Sequence, residues 1–145
     1  MTDPREALRA AGLRCTPARV RVLETIRAVA RPVTHAELAA LPDLAGMDAI
    51  TLYRTLSALE ESRLVHRVHG LDGTWRTCAH PDTVAGCPGN HAHFLCTTCG
   101  RMECLADQPM PRIDAPPGAT VAGRQLLAWG RCATCEAAPT SPDGA

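Results

Sequence analysis

Apolar residues in the first 65 positions recur mostly at helical spacing, and turn residues divide them into four segments. The residues that open the segments are typical of helix N-termini: Thr16 precedes Pro17, Thr34 lies three positions before Glu37, and Asp48 opens the longest segment. In that last segment the apolar positions are Ile50, Leu52, Leu56, Leu59 and Leu64. The pattern predicts four short helices joined by tight turns.

After Leu64 the spacing changes to alternation, which is typical of strands. Residues 65–78, VHRVHGLDGTWRTC, form two alternating runs around a Gly/Asp turn and predict a β-hairpin. HAHFLC, RMECL and TVAGRQLLAWG predict three further strands, residues 79–90 a loop, and residues 136–145 a disordered tail. Four prolines in residues 108–118 oppose a long helix there. The chain is therefore expected to be α+β, a helical module followed by a small α/β part.

Composition points to an intracellular setting. The 145 residues include eight cysteines, no membrane-length apolar run and no charged-then-apolar leader, so we expect a cytoplasmic, reducing location in which cysteine pairs bind metals rather than form disulfides. The formal net charge is zero, but residues 1–70 carry ten arginines and eight acids (+2), against five and seven (−2) in the remainder. This weak asymmetry makes the first half the better candidate for contact with an anionic polymer.

Two Cys-x-x-Cys pairs are the clearest chemical motif. Cys96 and Cys99 are separated from Cys132 and Cys135 by 32 residues, and two such pairs facing each other supply four thiolates for a tetrahedral structural zinc. The alternative is that one pair is a redox motif or buried apolar cysteine. A zinc at this position would join the end of the chain to the central strands and contribute folding free energy.

The histidines of HAHFLC predict a second metal site. Because side chains alternate along a strand, His91 and His93 point to one face and Cys96 to the other, so the histidines and the cysteine cannot easily share a metal. Candidate partners are, in order, Cys78, His66, Cys104, Cys87 and His80. A mixture of thiolate and imidazole favours zinc. The alternative is that the two histidines are only solvated.

The helical half fits a winged helix-turn-helix: a short helix, a turn, a longer helix and a hairpin. In that arrangement Tyr53 and Arg54 lie on the helix that enters the major groove, where arginine can bind guanine and tyrosine can touch a thymine methyl or a phosphate. Arg14, Arg19 and Arg21 are candidates for phosphate contacts. The alternative places Tyr53 in the core and Arg54 on a solvated face.

In order along the chain, GLRCTPARVRVLE, ITLYRTLSALEESRLV, HAHFLCTTCGRMEC and GRCATC resemble the ferric uptake regulator family, and within it the zinc uptake regulators. The resemblance implies a dimeric, metal-dependent repressor with an N-terminal winged helix-turn-helix and a C-terminal α/β dimerisation domain. The family's TVYR signature reads TLYR here, which places Thr51, Tyr53 and Arg54 at the DNA.

The resemblance also implies the metal ligands. The structural zinc falls on Cys96, Cys99, Cys132 and Cys135, and the regulatory zinc on His66, Cys78, His91 and His93. The cysteine at position 78 is similar to zinc sensors, because iron and peroxide sensors usually have a carboxylate there. Cys104 stands where iron-type members often have an acidic ligand, so it is an alternative ligand, as are Cys87 and His80. The family's dimerisation helix falls on the proline-rich residues 108–118.

The resulting hypothesis is a zinc-sensing repressor that binds palindromic operator DNA as a homodimer and controls metal uptake genes. Its expected parts are a DNA-binding domain at 1–69, a metal-binding dimerisation domain at 70–135 and the tail at 136–145, with two zinc ions per chain, no membrane and no small-molecule substrate. The alternatives are a sensor of iron, nickel or peroxide in the same family and, more remotely, a zinc enzyme of deaminase type. A deaminase needs a glutamate two residues after its first histidine and a proline before the cysteine pair, where this chain has His93 and Leu95.

Overall fold

The first half of the chain folds into four helices, as the apolar pattern predicts. The structure is a computed structural model that describes residues 2–79 and 91–138. The helices are α1 (Pro4–Ala10), α2 (Pro17–Val29), α3 (His35–Ala40) and α4 (Ala49–Glu61), with a short 3-10 turn at Pro42–Leu44. They enclose a core of buried aliphatic residues whose largest members are Leu8, Leu23, Ile26, Leu38, Leu44, Leu52 and Leu59.

Side-chain caps start these helices where the sequence indicates. Thr16 accepts a hydrogen bond from the backbone N–H of Arg19, and Asp48 accepts one from Thr51. At α3, Thr34 and Glu37 form a complete capping box, in which each side chain accepts a hydrogen bond from the other residue's backbone. The caps satisfy amides that the first helical turn leaves without partners, and so they fix where α3 and α4 begin.

A three-stranded antiparallel sheet follows the helices. It consists of β1 (Val33–Thr34), β2 (His66–His69) and β3 (Trp75–Cys78) in the order β1-β3-β2. β2 and β3 form the predicted hairpin, and with α3 and α4 they complete a winged helix-turn-helix. The boundary predicted at residue 69 falls between β2 and β3, whereas strand pairing extends the first sheet to Cys78.

A second three-stranded sheet holds the rest of the described chain. β4 (His91–Cys96) lies in the centre, antiparallel to β5 (Met102–Pro109) and parallel to β6 (Leu127–Gly130). The last predicted strand is shorter than TVAGRQLLAWG, because only its final residues pair with β4. Residues 110–126, all of which the structure describes, contain no helix, in agreement with their prolines.

The chain ends, within the described residues, in a short helix α5 (Ala133–Ala137) that the sequence analysis did not predict. Cys132 caps this helix by accepting a hydrogen bond from the backbone N–H of Cys135. Helix α5 extends past the domain end predicted at residue 135, and the remainder of the predicted tail, 139–145, lies outside the described residues.

The two sheets are in contact. Val68 of β2 is buried against Leu95, Met102 and Leu127 of the second sheet. Within the described ranges, no helix is both long and apolar enough to cross a membrane.

The capping box at α3 gives a first prediction. Thr34→Ala removes the side-chain oxygen that accepts from Glu37, so we expect the free energy of unfolding to fall by about 1 kcal/mol and the melting temperature by about 3 °C. Thermal unfolding followed by circular dichroism measures both. The same change at the exposed Thr120 is the control, and equal losses in the two variants would show that the cap contributes nothing.

Candidate metal centres and nucleic-acid interface

Four cysteines from the two Cys-x-x-Cys motifs meet at one end of the second sheet. Cys96 ends β4, Cys99 lies in the turn that follows, and Cys132 and Cys135 lie at the start of α5. Their sulfur atoms all lie within 4.8 Å of one another. Thiolates that share a tetrahedral zinc lie about 3.8 Å apart, from a zinc–sulfur distance of about 2.3 Å. The Sγ atoms of Cys99 and Cys132 are 3.8 Å apart, so the spacing fits that ion.

The electrostatics of this cluster also suit a cation. The backbone N–H groups of Cys99 and Cys132 point at Cys96 Sγ from 3.5 and 3.3 Å and lower the pKa of that thiol to about 6. Its neighbour behaves in the opposite way: hydrogen bonding to Cys132, followed by burial, raises the pKa of Cys135 to about 12. The site therefore stabilises one thiolate strongly but opposes ionisation of all four thiols unless a cation compensates their charge.

A second cluster lies where the two sheets face each other, and two cross-strand pairs build it. In the first sheet His66 is directly opposite Cys78, and in the second His93 is directly opposite Cys104. Histidine lies against histidine and cysteine against cysteine: the Nε2 atoms of His66 and His93 are 3.4 Å apart, and the Sγ atoms of Cys78 and Cys104 are 3.3 Å apart. Two imidazoles on one tetrahedral zinc also have nitrogens about 3.4 Å apart, from a zinc–nitrogen distance of about 2.05 Å.

His91 joins the same cluster from the other end of the His-x-His motif. The rings of His91 and His93 have centroids 4.7 Å apart, and ligand atoms of His91, His93 and Cys104 all lie within 4.8 Å of one another. Both histidines are buried, and the Nδ1 atom of His93 has no hydrogen-bond partner among the described residues. A buried imidazole nitrogen of this kind, beside thiols and other imidazoles, fits the donor set of a zinc site.

The structure thus places all eight predicted ligands in two clusters, and it places Cys104, an alternative ligand, in the second of them. Cys104 lies nearer to the histidine pair than Cys78, which reaches the cluster through its contact with Cys104. Cys104 enters the cluster because RMECL pairs with HAHFLC in a register that puts Cys104 opposite His93. His80 and Cys87, which the sequence also offers as metal ligands, lie outside the described residues.

Helix α4 presents a side-chain face that no other described element covers. Tyr53 is 66% exposed, and Ile50 and Arg54 are exposed beside it at helical spacing. An exposed tyrosine in this fold is not part of the core, so the alternative that Tyr53 is a core residue is wrong. An exposed face of this composition near the N-terminus of the second helix of a helix-turn-helix matches the geometry of base contact.

The remaining predicted DNA contacts differ in how freely they can act. The hydroxyl of Thr51 donates to Asp48 at 2.6 Å and is committed to the helix cap. Arg19 Nη1 donates to the carbonyl oxygen of Arg14 at 3.1 Å, which fixes the backbone before α2 and leaves the Arg14 side chain exposed. Of these three residues, Arg14 is the one whose side chain is most available to a phosphate.

No sequence motif marks the surface between α4 and the hairpin, which the fold brings together. A groove of about 200 Å³ is lined there by Tyr53, Glu60, Arg67 and Trp75 among others. The guanidinium of Arg67 lies 4.4 Å from the ring centre of the half-exposed Trp75. Arg67 also pairs with Glu60 of α4 at 3.5 Å, so the groove places a cation on an indole face beside the exposed Tyr53.

A helix-turn-helix with a wing, joined to a sheet that carries two cysteine and histidine clusters, defines a DNA-binding protein that binds metal. Residues 10–116 match the model of the Ferric uptake regulator family, and the chain belongs to that family. It is therefore a metal-responsive transcriptional regulator and not an enzyme, which excludes the deaminase alternative.

Relatives and solved structures agree with this assignment. The transcriptional regulator FurA of Mycobacterium tuberculosis is 29% identical over 147 residues, which cover 96% of this chain and 94% of that protein. The ferric uptake regulator of Vibrio cholerae has a TM-score of 0.62 at 21% identity, with 90% of this chain and 100% of that chain covered. A zinc uptake regulator in complex with zinc and DNA has a TM-score of 0.57 at 23% identity, with 94% and 97% covered. The two structures show the shared fold.

The cysteine cluster gives a second prediction. Cys132→Ser removes one of four thiolates, and we expect it to abolish tight retention of one metal ion per chain and to lower the melting temperature, since folding and metal binding are coupled there. Elemental analysis and thermal unfolding measure the two effects. Cys15→Ser is the matched control, because Cys15 lies in the helical half, outside both clusters. Unchanged metal content in Cys132→Ser would contradict the assignment.

Proposed function

We propose that this regulator is a zinc-responsive repressor that binds palindromic operator DNA as a homodimer in the cytoplasm and controls metal uptake genes. Cys96, Cys99, Cys132 and Cys135 would hold a structural zinc, and His66, Cys78, His91 and His93 a regulatory one. The observation that carries the proposal is the 3.4 Å separation of His66 Nε2 and His93 Nε2, because these atoms come from two different sheets.

Donor chemistry supports zinc over the other metals. The second cluster offers three imidazoles and two thiols and, among the residues the structure describes, no carboxylate. Thiolate with imidazole is a ligand set that suits zinc, whereas manganese and magnesium prefer oxygen. The similarity to FurA and to ferric uptake regulators keeps an iron sensor of the same family as the alternative, although the two thiols oppose it.

The ligands couple metal to DNA through their positions in the chain. His66 and Cys78 lie on the hairpin that forms the wing, and His91 and His93 lie on the central strand of the other sheet. Bound zinc would supply a shared positive charge for both groups of donors. It would thereby favour the placement of the wing and recognition helix in which His66 and Cys78 lie beside the histidines of β4. That placement becomes more populated as the zinc concentration rises.

A homodimer is supported by apolar residues that the single chain leaves uncovered. Trp129 on β6 is 61% exposed, and Ile113, Val121 and Leu126 are exposed in the preceding segment. An exposed apolar surface of this kind in one part of a small domain is typical of a protein–protein interface. Two copies joined there would present two α4 helices, as recognition of a palindrome requires.

Zinc dependence of operator binding is the central test. We expect affinity for a palindromic operator to rise about a hundredfold between zinc-depleted and zinc-replete buffers, a change of about 2.7 kcal/mol. Fluorescence anisotropy with labelled DNA, at free zinc set by a chelator, measures it. Equal affinity at all zinc concentrations contradicts zinc sensing, and the same titration with ferrous iron tests the alternative.

Ligand substitutions decide the composition of the regulatory site. Cys78→Ser should lose one of two zinc ions per chain while the cysteine-cluster zinc remains, as measured by elemental analysis. Cys104→Ser is the companion variant, since Cys104 lies within reach of His91 and His93. Loss of the ion in Cys104→Ser with retention in Cys78→Ser would show that Cys104 replaces Cys78, and loss in both that the two thiolates act together.

Recognition by α4 gives a further prediction. Arg54→Ala should weaken specific operator binding by about 1–3 kcal/mol and relax base preference at one position, as expected for an arginine that contacts a base. Arg112→Ala is the matched control, because Arg112 is also exposed but lies in the segment between β5 and β6. Anisotropy titrations with specific and scrambled DNA measure both. Equal effects on the two DNAs would reassign Arg54 to phosphate contact.

A further inference from the structure

We propose that Arg76 and Gln125 are positioning residues that dock the wing onto the β4 sheet before the regulatory metal binds, and that they thereby set the free zinc concentration at which operator binding begins. The proposal rests on the proposed function, because it assigns a regulation to the same site. Neither residue is a predicted ligand or a predicted DNA contact.

Arg76 links the hairpin turn to the cysteine cluster. Its side chain is only 3% exposed, and its two terminal nitrogens donate to Asp72 Oδ1 at 3.1 Å and Oδ2 at 2.7 Å. Nη2 also donates to the carbonyl oxygen of Gly100 at 3.0 Å. Since Gly100 directly follows Cys99, one buried guanidinium holds the wing to the turn that carries Cys99.

The space around this guanidinium is fitted to it. A Cβ atom at Gly70 would collide with Arg76 Nη1 and with Asp72 Oδ1, so glycine at 70 leaves room for the ion pair. Hydrogen bonds from Arg76 lower the pKa of Asp72 to about 2, which keeps the carboxylate charged at neutral pH. A bidentate pair between a buried guanidinium and a half-exposed carboxylate fixes direction as well as distance.

Gln125 makes a second link at His69, the last residue of β2, next to the Val68–Arg76 pair. Its Nε2 donates to the carbonyl oxygen of His69 at 2.6 Å, and its Oε1 accepts from the N–H of His69 at 2.8 Å. β2 is an edge strand, and the Gln125 amide makes both bonds that a neighbouring strand would make there. The next residue, Leu126, accepts from the N–H of His93 at 3.0 Å.

Both links hold the half of the β2–β3 hairpin nearest its turn, whereas His66 and Cys78 pair at the opposite end of the same hairpin. Gln125 and Leu126 connect the strand of His66 with the strand of His93, while Val68 is buried between the sheets against Leu95, Met102 and Leu127. These contacts do not involve a metal ligand side chain, so they act in the absence of metal. If they raise the fraction of chains in which His66 and His93 are already adjacent, the apparent zinc affinity rises by the same factor.

Gln125→Ala is the sharper variant, because Gln125 is exposed and its loss leaves the two cores intact. We expect the zinc midpoint of operator binding to rise about tenfold, with affinity at saturating zinc within about twofold of the wild type. Gln108→Ala, the same change at an exposed position of β5, is the matched control and should not move the midpoint. A residue that touched DNA would instead lower affinity at every zinc concentration.

Arg76→Gln tests the other link, with Arg101→Gln as its control, since Arg101 is exposed beside Gly100 and pairs with Glu103. Because Arg76 is buried, thermal unfolding is measured alongside, and Gly70→Ala provides a second variant that displaces the guanidinium without removing it. For both we expect the same rise in zinc midpoint, with two zinc ions per chain still bound at saturation.

Hydrogen exchange of the His69 amide supplies a readout that does not depend on DNA or on the regulatory metal. In wild-type protein that holds one zinc per chain, this amide should exchange at least tenfold more slowly than in Gln125→Ala. Equal exchange rates, or an unchanged zinc midpoint in Gln125→Ala while the wild type responds to zinc, would overturn the proposal. A wild type without zinc response would refute the proposed function, but the exchange measurement would still decide whether Gln125 docks the wing.

Discussion

Strand β4 alternates its side chains between two faces, and both candidate metal clusters depend on that alternation. His91 and His93 meet Cys104 and the hairpin on one side, while Cys96 ends the strand in the four-cysteine cluster. Because the period of a strand is two, a shift of one residue would exchange these faces and dissolve both clusters together. The pairing of β4 with β5 and β6 is thus a condition for both clusters to form.

The register of two hairpin pairings explains why the second cluster could be predicted only in part. Alternation in HAHFLC was enough to separate the histidines from Cys96, and the family resemblance supplied His66 and Cys78. The place of Cys104 depends on which residue of β5 is opposite His93, and that register is set by the turn between Cys96 and Met102. Local periodicity carries no information about such a pairing, so the sequence offers Cys104 only as one candidate ligand among several.

The fold shows the same division between local and tertiary signals. Caps at Thr16, Thr34 and Asp48 are local interactions, and the helices begin where they predicted. By contrast, TVAGRQLLAWG predicts a strand over its whole length, yet only Leu127–Gly130 pairs with β4. The preceding Gln125 instead bonds to β2 of the other sheet. A strand-like sequence predicts that a segment can pair, whereas the neighbouring strand determines how many of its residues do pair.

In the proposed function, the contacts between the two sheets and the metal ligands together control one equilibrium. If the contacts between the sheets were strong enough to hold every chain in the DNA-binding arrangement, metal could shift nothing, because a ligand acts only through its differential affinity for two states. If they were absent, the donors of two separate sheets would have to be brought together by the metal alone, and its apparent affinity would fall. A hydrogen bond contributes a net stabilisation of about 0.5–1.5 kcal/mol, which favours the closed arrangement without fixing every chain in it. The few polar links made by Arg76 and Gln125 therefore suit a switch that is biased toward closure but still requires metal to complete it.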